Sequence, residues 1–335
     1  MGERFRPVLF ISFIILFFIL ATGLFTYAWM WTNEPPAHEP IFGITFSSTY
    51  ASALHLDVNE TYATLVNDLG VRHVRLPLYW SEIEKTPGVF DWSVSDDLID
   101  YSQAHGVELT VVVGMKVPRW PECYVPDWAE GFDENREQHA VLSFIEEAVN
   151  RYKDSTAVVR WQVENEPFFP YGECPLLSVE QFKQRVDLVR SLDARPIMVT
   201  VSGELGPWLD SAQAADVLGI SMYRQTYNDL WGYFVYPISP AFYTVRASLV
   251  HDAVDAVIVS ELQAEPWFPE AIDHRPLTDW YDTFTAEMFE NNIQFARDAR
   301  LSEVYLWGAE WWVAMKHAGD DRLWNVAKEV FGQGL

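Results

Sequence analysis

Two glutamates stand where runs of β-forming residues end. Glu166 follows Asn165 in the segment WQVENEPF, and Glu261 closes the run VIVSE. If both runs are parallel strands of one barrel, their carboxyl ends meet at the same face, and the two carboxylates lie across its mouth. Such a pair can cleave a glycosidic bond, because one acid protonates the leaving oxygen while the other attacks the anomeric carbon or activates water. A single glutamate at a strand end would be interpreted as a solvated rim acid, but two favour a catalytic pair.

Composition and missing motifs exclude several other function classes. The 335 residues carry 48 Asp and Glu against 23 Lys and Arg, a formal charge of −25, which argues against a nucleic-acid partner. No GxxxxGK[ST] phosphate loop, HExxH zinc motif or GxSxG elbow occurs, and the eight His show no metal-ligand spacing. We therefore predict neither a cofactor nor a metal site.

Short β-rich runs alternate with longer helical stretches after residue 40. The eight runs are Ile41–Phe46, His73–Leu76, Glu108–Val113, Val158–Val163, Ile197–Val201, Val217–Ser221, Ala256–Ser260 and Val304–Trp307. The helical stretches include Tyr62–Leu69, Ser95–Ala104, Glu137–Tyr152, Val179–Leu192, Pro240–Val250, Trp280–Ala299 and Arg322–Phe331. This alternation predicts an α/β protein with parallel strands, and eight units indicate a single (β/α)₈ TIM barrel. A doubly wound open sheet is the alternative, but the turn after the first run, TFSSTYAS, has no glycine-rich phosphate motif.

The N-terminal segment is distinct from the barrel. Residues 8–31 contain no charged side chain and exceed the about 20 residues that a helix needs to cross the hydrocarbon core. Arg4 and Arg6 precede this segment, and no further Lys or Arg occurs before Arg72, so the positive-inside rule places the N-terminus in the cytoplasm. We predict a cytoplasmic tail over 1–7, a transmembrane anchor over 8–31, a linker over 32–40 and an extracytoplasmic barrel over 41–335. Secretion after signal cleavage is the alternative.

Over residues 41–335 the chain resembles the retaining (β/α)₈ glycoside hydrolases of clan A, in particular families five, thirty-nine and forty-two. The resemblance rests on Asn165-Glu166-Pro167 and on VIVSELQAEPW. It implies that Glu166 is the acid/base and that Glu261 is the nucleophile. An amide at Asn165 would contact the sugar.

The same resemblance implies further substrate-site residues. Arg75 in VRLPLYW and Tyr223 in GISMYRQ would contact the nucleophile. Trp307 in YLWGAEWW would form the floor of the sugar site, and Trp311 is the alternative residue for this role. Trp80 is one of several tryptophans in or near loops after strands, where aromatic rings can stack on sugars.

Other acids and both cysteines fall near predicted strand ends. Glu164 would lie deeper than Glu166 as a structural acid. The remaining acids, rated as loop or cleft residues, are Glu204, Glu265 and Glu310. Cys123 and Cys174 follow adjacent strands, so outside the cytoplasm they could form a disulfide, while two unrelated buried thiols are the alternative.

These observations predict a membrane-anchored retaining glycoside hydrolase that cleaves β-linked oligo- or polysaccharides. A non-catalytic carbohydrate-binding or scaffolding barrel is the alternative, since fold does not prove activity. A barrel enzyme with a phosphate substrate is a weaker reading, because the last two loops lack a glycine-rich turn. The predicted partners are a carbohydrate substrate and a membrane. The sugar, the linkage and the oligomeric state stay open.

Overall fold

A closed eight-stranded parallel barrel forms the body of the computed structural model, which describes residues 5–32 and 39–332. Around the barrel the strand order is β1-β10-β9-β6-β5-β4-β3-β2. The barrel strands are β1 (Ile41–Thr45), β2 (His73–Pro77), β3 (Glu108–Val113), β4 (Val158–Val163), β5 (Ile197–Val201), β6 (Val217–Met222), β9 (Ala256–Gln263) and β10 (Glu303–Trp307). Strands β7 (Gln225–Asn228) and β8 (Gly232–Val235) form a separate antiparallel hairpin after β6. The predicted single (β/α)₈ barrel is confirmed.

Helices surround the barrel and bury its outer face. β5 and β6 are buried along their whole length, as expected for parallel strands that are covered on both sides. The helices are α1 (Phe5–Thr32), α2 (Ser48–Ala53), α3 (Val58–Asn67), α4 (Trp80–Ile83), α5 (Ser93–His105), α6 (Glu134–Tyr152), α7 (Val179–Leu192), α8 (Leu209–Ala212), α9 (Pro240–Val250), α10 (Ala286–Asp298), α11 (Ala309–His317) and α12 (Arg322–Gly332). Ser178 begins α7 with a capping box, because it and Gln181 satisfy each other's backbone N–H groups.

Two helical regions differ from the sequence-based expectation. The stretch Trp280–Ala299 is not one helix. A 3₁₀ helix over Leu277–Thr283 ends before α10 begins, and the Thr285 side chain caps α10 by accepting from the Met288 N–H. Helix α11 was not expected. It is buried from Ala309 through Met315, so it lacks the polar face that gives a surface helix its periodic pattern.

The N-terminal helix α1 covers the predicted anchor, but its side chains are described only for residues 12–25, which are exposed. Across the described residues, we find no helix that combines the length and apolar character required to span a bilayer. Residues 1–4 of the predicted tail, 33–38 of the predicted linker and 333–335 lie outside the described residues. The anchor therefore stays a prediction.

Candidate active site

Glu166 lies just beyond β4, where the backbone turns sharply into the barrel mouth. Glu164 and Glu166 both have left-handed backbone conformations, with φ of 59° and 45°. Such conformations cost about 1–3 kcal/mol in non-glycine residues and persist only where surrounding contacts fix them. Here the Asn165 N–H donates to the Lys116 carbonyl, and the Glu166 N–H donates to Thr200 Oγ1 at 2.9 Å. The turn aims the Glu166 carboxyl toward β6, where Ser221 Oγ donates to it at 3.0 Å.

The Glu166 carboxyl is held in its protonated form near neutral pH. Its side chain is 7% exposed, and burial, followed by repulsion from Glu261, raises its pKa to about 8. Lys116 and the Ser221 hydroxyl oppose this rise without cancelling it. A carboxylic acid that keeps its proton at pH 7 can donate it to a leaving oxygen.

Glu261 lies on β9 and accepts one hydrogen bond on each carboxylate oxygen. Arg75 Nη1 donates to its Oε1 at 2.7 Å, and the Tyr223 hydroxyl donates to its Oε2 at 3.2 Å. Arg75 is fully buried on β2 and also donates through Nη2 to Asn165 Oδ1 at 2.7 Å. One guanidinium therefore connects the residue before Glu166 with Glu261. The structure thus brings Glu166, Glu261, Asn165, Arg75 and Tyr223 together.

Asn165 has an unused donor. Its Oδ1 accepts hydrogen bonds from Arg75 and from Thr200 Oγ1 at 2.7 and 3.0 Å, so the orientation of the amide is fixed. Its Nδ2 is buried and has no hydrogen-bond partner within the described part of the chain. A buried unpaired donor is unfavourable, and a ligand hydroxyl can satisfy it.

Glu204, which we expected in the cleft, positions Tyr223 instead. Its Oε1 accepts from the Tyr223 N–H at 2.9 Å and from the Tyr243 hydroxyl at 2.6 Å. Burial raises the pKa of Glu204 to about 7. The acid therefore sets the backbone position from which the Tyr223 hydroxyl reaches Glu261.

Arg119, in the loop after β3, joins two further predicted acids to Trp307. It donates to Glu265 and, at 3.3 Å, to Glu310 Oε2, so both acids have a buried cationic partner. Its guanidinium also stacks 4.2 Å from the Trp307 ring centroid and 3.8 Å from that of Tyr50. Trp307 is 7% exposed. The sequence analysis missed Arg119, because nothing local in GMKVPRWPE indicates which acids it pairs with.

The prediction that Trp80 and Trp311 bind substrate is wrong. Trp80 is fully buried, stacks on Phe144 of α6 and donates through its indole to Glu84. Trp311 on α11 is also fully buried and packs against Phe268. A ring without exposed surface cannot stack on a sugar, so both belong to the core.

Glu164 is a structural acid, as expected, although its carboxylate contacts a helix and a loop. It accepts from Arg185 of α7 at 2.6 Å and from the Met115 and Lys116 N–H groups at 3.2 and 2.7 Å. Gly114 approaches it so closely that an added Cβ would lie 2.2 Å from Glu164 Oε1. Glu164 therefore ties the start of the β3 loop to α7.

Glu122 was also missed by the sequence analysis. It adds a third buried carboxyl near the pair and lies next to Cys123, which is bonded to Cys174 in a disulfide. This disulfide joins the loop after β3 to the loop after β4, so the segment that carries Glu122 is tied to the segment that follows Glu166.

The chain is similar to several known glycosidases. A model of glycosyl hydrolase family 10 matches residues 50–186. The structure of GH5_18 from Bifidobacterium longum subsp. longum ATCC 55813 superposes with a TM-score of 0.63 at 12% identity over 88% of this chain and 79% of that one. A variant of that protein in complex with Manβ1-4GlcNAc superposes with a TM-score of 0.62 at 12% identity, over 88% of this chain and 78% of that one. A β-galactosidase from the Antarctic haloarchaeon Halorubrum lacusprofundi superposes with a TM-score of 0.56 at 14% identity, over 87% of this chain and 58% of that one.

At these identities the solved structures show a shared fold, and this chain spans little more than half of the β-galactosidase. Together with the family-model match, the barrel confirms the predicted resemblance to clan A glycoside hydrolases. The chain is accordingly similar to glycoside hydrolases in sequence over residues 50–186 and in fold over most of its length.

Proposed function

We propose that the chain is a retaining enzyme that cleaves β-linked oligo- or polysaccharides by double displacement, with Glu166 as acid/base and Glu261 as nucleophile. The contrast between the two carboxyl environments carries this proposal. Burial keeps Glu166 protonated beside a neutral hydroxyl, whereas Glu261 faces the guanidinium of Arg75. Acid and nucleophile roles require this difference between two neighbouring carboxyls.

In the first step, Glu261 attacks the anomeric carbon while the bond to the leaving oxygen breaks and that oxygen takes the Glu166 proton. In the second step, ionised Glu166 removes a proton from water, and the resulting hydroxide displaces Glu261 from the sugar. The hydrogen bonds from Arg75 and Tyr223 fix the position of the attacking carboxylate. The free Nδ2 of Asn165 is suited to donate to a sugar hydroxyl, a contact that can strengthen in the transition state.

A row of aromatic rings leads away from Glu261 and supports a substrate of more than one sugar unit. Tyr223 contacts Trp267 with a centroid distance of 5.7 Å, Trp267 contacts Tyr171 at 6.1 Å, and Tyr171 contacts Trp120 at 6.0 Å. Trp120 is 64% exposed at the outer end of the row. Rings whose faces are partly open to solvent can stack on sugars, as large apolar side chains with rigid geometry do at binding surfaces.

The similar structures suggest where to begin with substrates. One of them holds Manβ1-4GlcNAc, and others are β-galactosidases. β-Mannosides and β-galactosides are therefore the first compounds to test on this chain. The excess of acids over bases in the whole chain disfavours anionic sugars.

The proposal also places the barrel outside the cytoplasm, held to the membrane by residues 8–31. The uncharged length of that segment and the Arg4 and Arg6 residues before it support this topology. A disulfide between Cys123 and Cys174 suits an oxidising compartment.

Hydrolysis of a panel of aryl β-glycosides and β-linked disaccharides by the full-length chain tests the proposal. The anomer formed first is identified by proton NMR before mutarotation. We expect a β product from a β-glycoside. An α product would contradict the retaining mechanism, and binding of the same sugars without any turnover would indicate a non-catalytic carbohydrate-binding barrel.

A further inference from the structure

Glu122 lies as deep as the two proposed catalytic glutamates. It is 5% exposed, compared with 7% for Glu166 and 4% for Glu261. Its Oε2 makes no hydrogen bond of normal geometry among the described residues; the Lys116 ammonium lies 3.9 Å away, and the Asn165 side chain is near enough to lower the pKa of this carboxyl. That ammonium is already bonded to backbone carbonyls, including that of Glu166 at 2.9 Å. Glu122 therefore brings to the site a carboxyl that the protein itself leaves incompletely satisfied.

A purely structural acid looks different in this protein. Glu164, with no exposed surface, accepts from one guanidinium and from the Met115 and Lys116 N–H groups. Buried polar groups are normally paired, and an unpaired one calls for an explanation. The Glu122 carboxyl therefore keeps hydrogen-bonding capacity that the described residues do not fill with normal geometry.

The fold fixes Glu122 from several sides. Its backbone is left-handed, with φ of 59°, and its N–H donates to the Arg119 carbonyl. The neighbouring Cys123 is bonded to Cys174, and an added Cβ at Gly172 would lie 2.8 Å from the Glu122 Cβ. Strained residues held by their surroundings concentrate at functional sites.

The charge around Glu122 determines which hydrogen bonds it can make. Burial raises its pKa well above the usual range, the nearby Glu166 and Glu261 raise it further, and Lys116 and Asn165 lower it only in part. A protonated carboxyl is both a donor and an acceptor. It can therefore bond to a hydroxyl group, which also donates and accepts, without adding another negative charge to the site.

We propose that Glu122 is a substrate-binding residue that hydrogen-bonds a hydroxyl group of the pyranose ring held between Glu166 and Glu261, and that it thereby helps to determine which sugar is accepted. This inference rests on the proposed function. It assigns Glu122 to recognition of the sugar and leaves bond cleavage to the other two glutamates.

Kinetics with matched sugars test the assignment. Glu122→Ala and Glu122→Gln are compared with the unchanged chain on the aryl β-glycoside that it hydrolyses best and on the monodeoxy derivatives of that glycoside. We expect Glu122→Ala to lower kcat/KM about 10- to 100-fold on the parent sugar and less than about threefold on the one derivative that lacks the bonded hydroxyl. Glu122→Gln, which keeps a donor and an acceptor, should recover much of the loss. Glu173→Gln, an exposed change in the facing loop, serves as control.

Equal losses on the parent and on every deoxy derivative, or no loss at all, would overturn the assignment while leaving the proposed function intact. If Glu122→Ala does not fold, the same comparison is made with Glu122→Met, which keeps the volume of the side chain and removes both hydrogen-bonding groups, because a structural role predicts no dependence on the sugar.

A binding experiment separates the inference from the proposed function. Calorimetry with Manβ1-4GlcNAc and lactose is performed on Glu261→Ala and on Glu261→Ala/Glu122→Ala. Weaker binding by at least tenfold in the double variant supports the role of Glu122 even if the unchanged chain hydrolyses nothing. Equal binding by the two variants, or binding by neither, contradicts it.

Discussion

Arg75 and Glu261 form an ion pair across the barrel interior, with 2.7 Å between Nη1 and Oε1 and almost no exposed surface on either side chain. A second guanidinium nitrogen, Nη2, donates to Asn165 Oδ1, so the same cation orients both halves of the site. Removing one member of a buried pair costs about 3–5 kcal/mol, because the other charge stays uncompensated. Stability and activity should therefore fall together when Arg75 is lost.

Arg75→Met tests this coupling. We expect kcat to fall at least about 100-fold, since Glu261 loses the partner that fixes its position, and we expect a lower melting temperature. Arg160→Met is the matched control. The Arg160 guanidinium lies 2.8 Å from the Glu303 carboxylate, and this ion pair is not part of the barrel mouth. Steady-state kinetics and thermal unfolding of both variants provide the comparison. An equal loss of kcat in Arg160→Met would show that the effect is not specific to the site.

The pH profile of kcat/KM reports the ionisation of Glu166. Its pKa of about 8 implies that the proton donor is present below that pH and is lost as the pH rises through about 8. The Ser221 hydroxyl lowers this pKa, so Ser221→Ala should move the basic limb to higher pH. A basic limb that stays in place in Ser221→Ala, or that lies near pH 5 in the unchanged chain, would contradict this account of Glu166.

The disulfide should be present in the protein isolated from an oxidising compartment. Labelling of the denatured, unreduced chain should detect no free thiol, since the structure joins Cys123 to Cys174 and no other cysteine exists. Reduction should lower the melting temperature, because closing a loop of 51 residues contributes on the order of 4 kcal/mol in the chain-entropy model. Two reactive thiols in the unreduced protein would show that the bond is absent.

The N-terminal segment gives a separate prediction. If residues 8–31 span the bilayer, the full-length chain should sediment with membranes and resist carbonate extraction. A chain that lacks residues 1–38 should be soluble and folded, because β1 begins at Ile41. A shortened mature protein in the medium would instead identify the segment as a cleaved signal.

Strand ends were predictable from the sequence, and the parts of the site built directly on them were found. Glu166 and Glu261, at the ends of β4 and β9, needed only the order of the strands, because a parallel barrel brings those ends to one face. Arg75 and Tyr223 were expected only from the resemblance to clan A glycoside hydrolases. The loops were not predictable in this way. Arg119 meets Glu265 across 146 residues of sequence, and Glu122 depends on a left-handed turn and a disulfide.

The errors at Trp80 and Trp311 have a related cause. A tryptophan after a strand can lie in the mouth or turn back beneath a helix, and its neighbours in the sequence do not distinguish the two. The β7–β8 hairpin was also missed, since its strands have four residues each and pair only with one another.

The roles of the two glutamates are tested most directly by azide rescue of the alanine variants, with the anomer of the product determined by NMR. On an aryl β-glycoside, Glu166→Ala should still form the glycosyl-enzyme, because an activated leaving group needs little protonation. Azide should then attack that intermediate, restore turnover and give the β-azide. Glu261→Ala should stay inactive on natural substrates. The β-azide from Glu261→Ala, together with the α-azide or no rescue from Glu166→Ala, would show that the two roles are exchanged, because azide gives the inverted anomer only where it replaces the nucleophile.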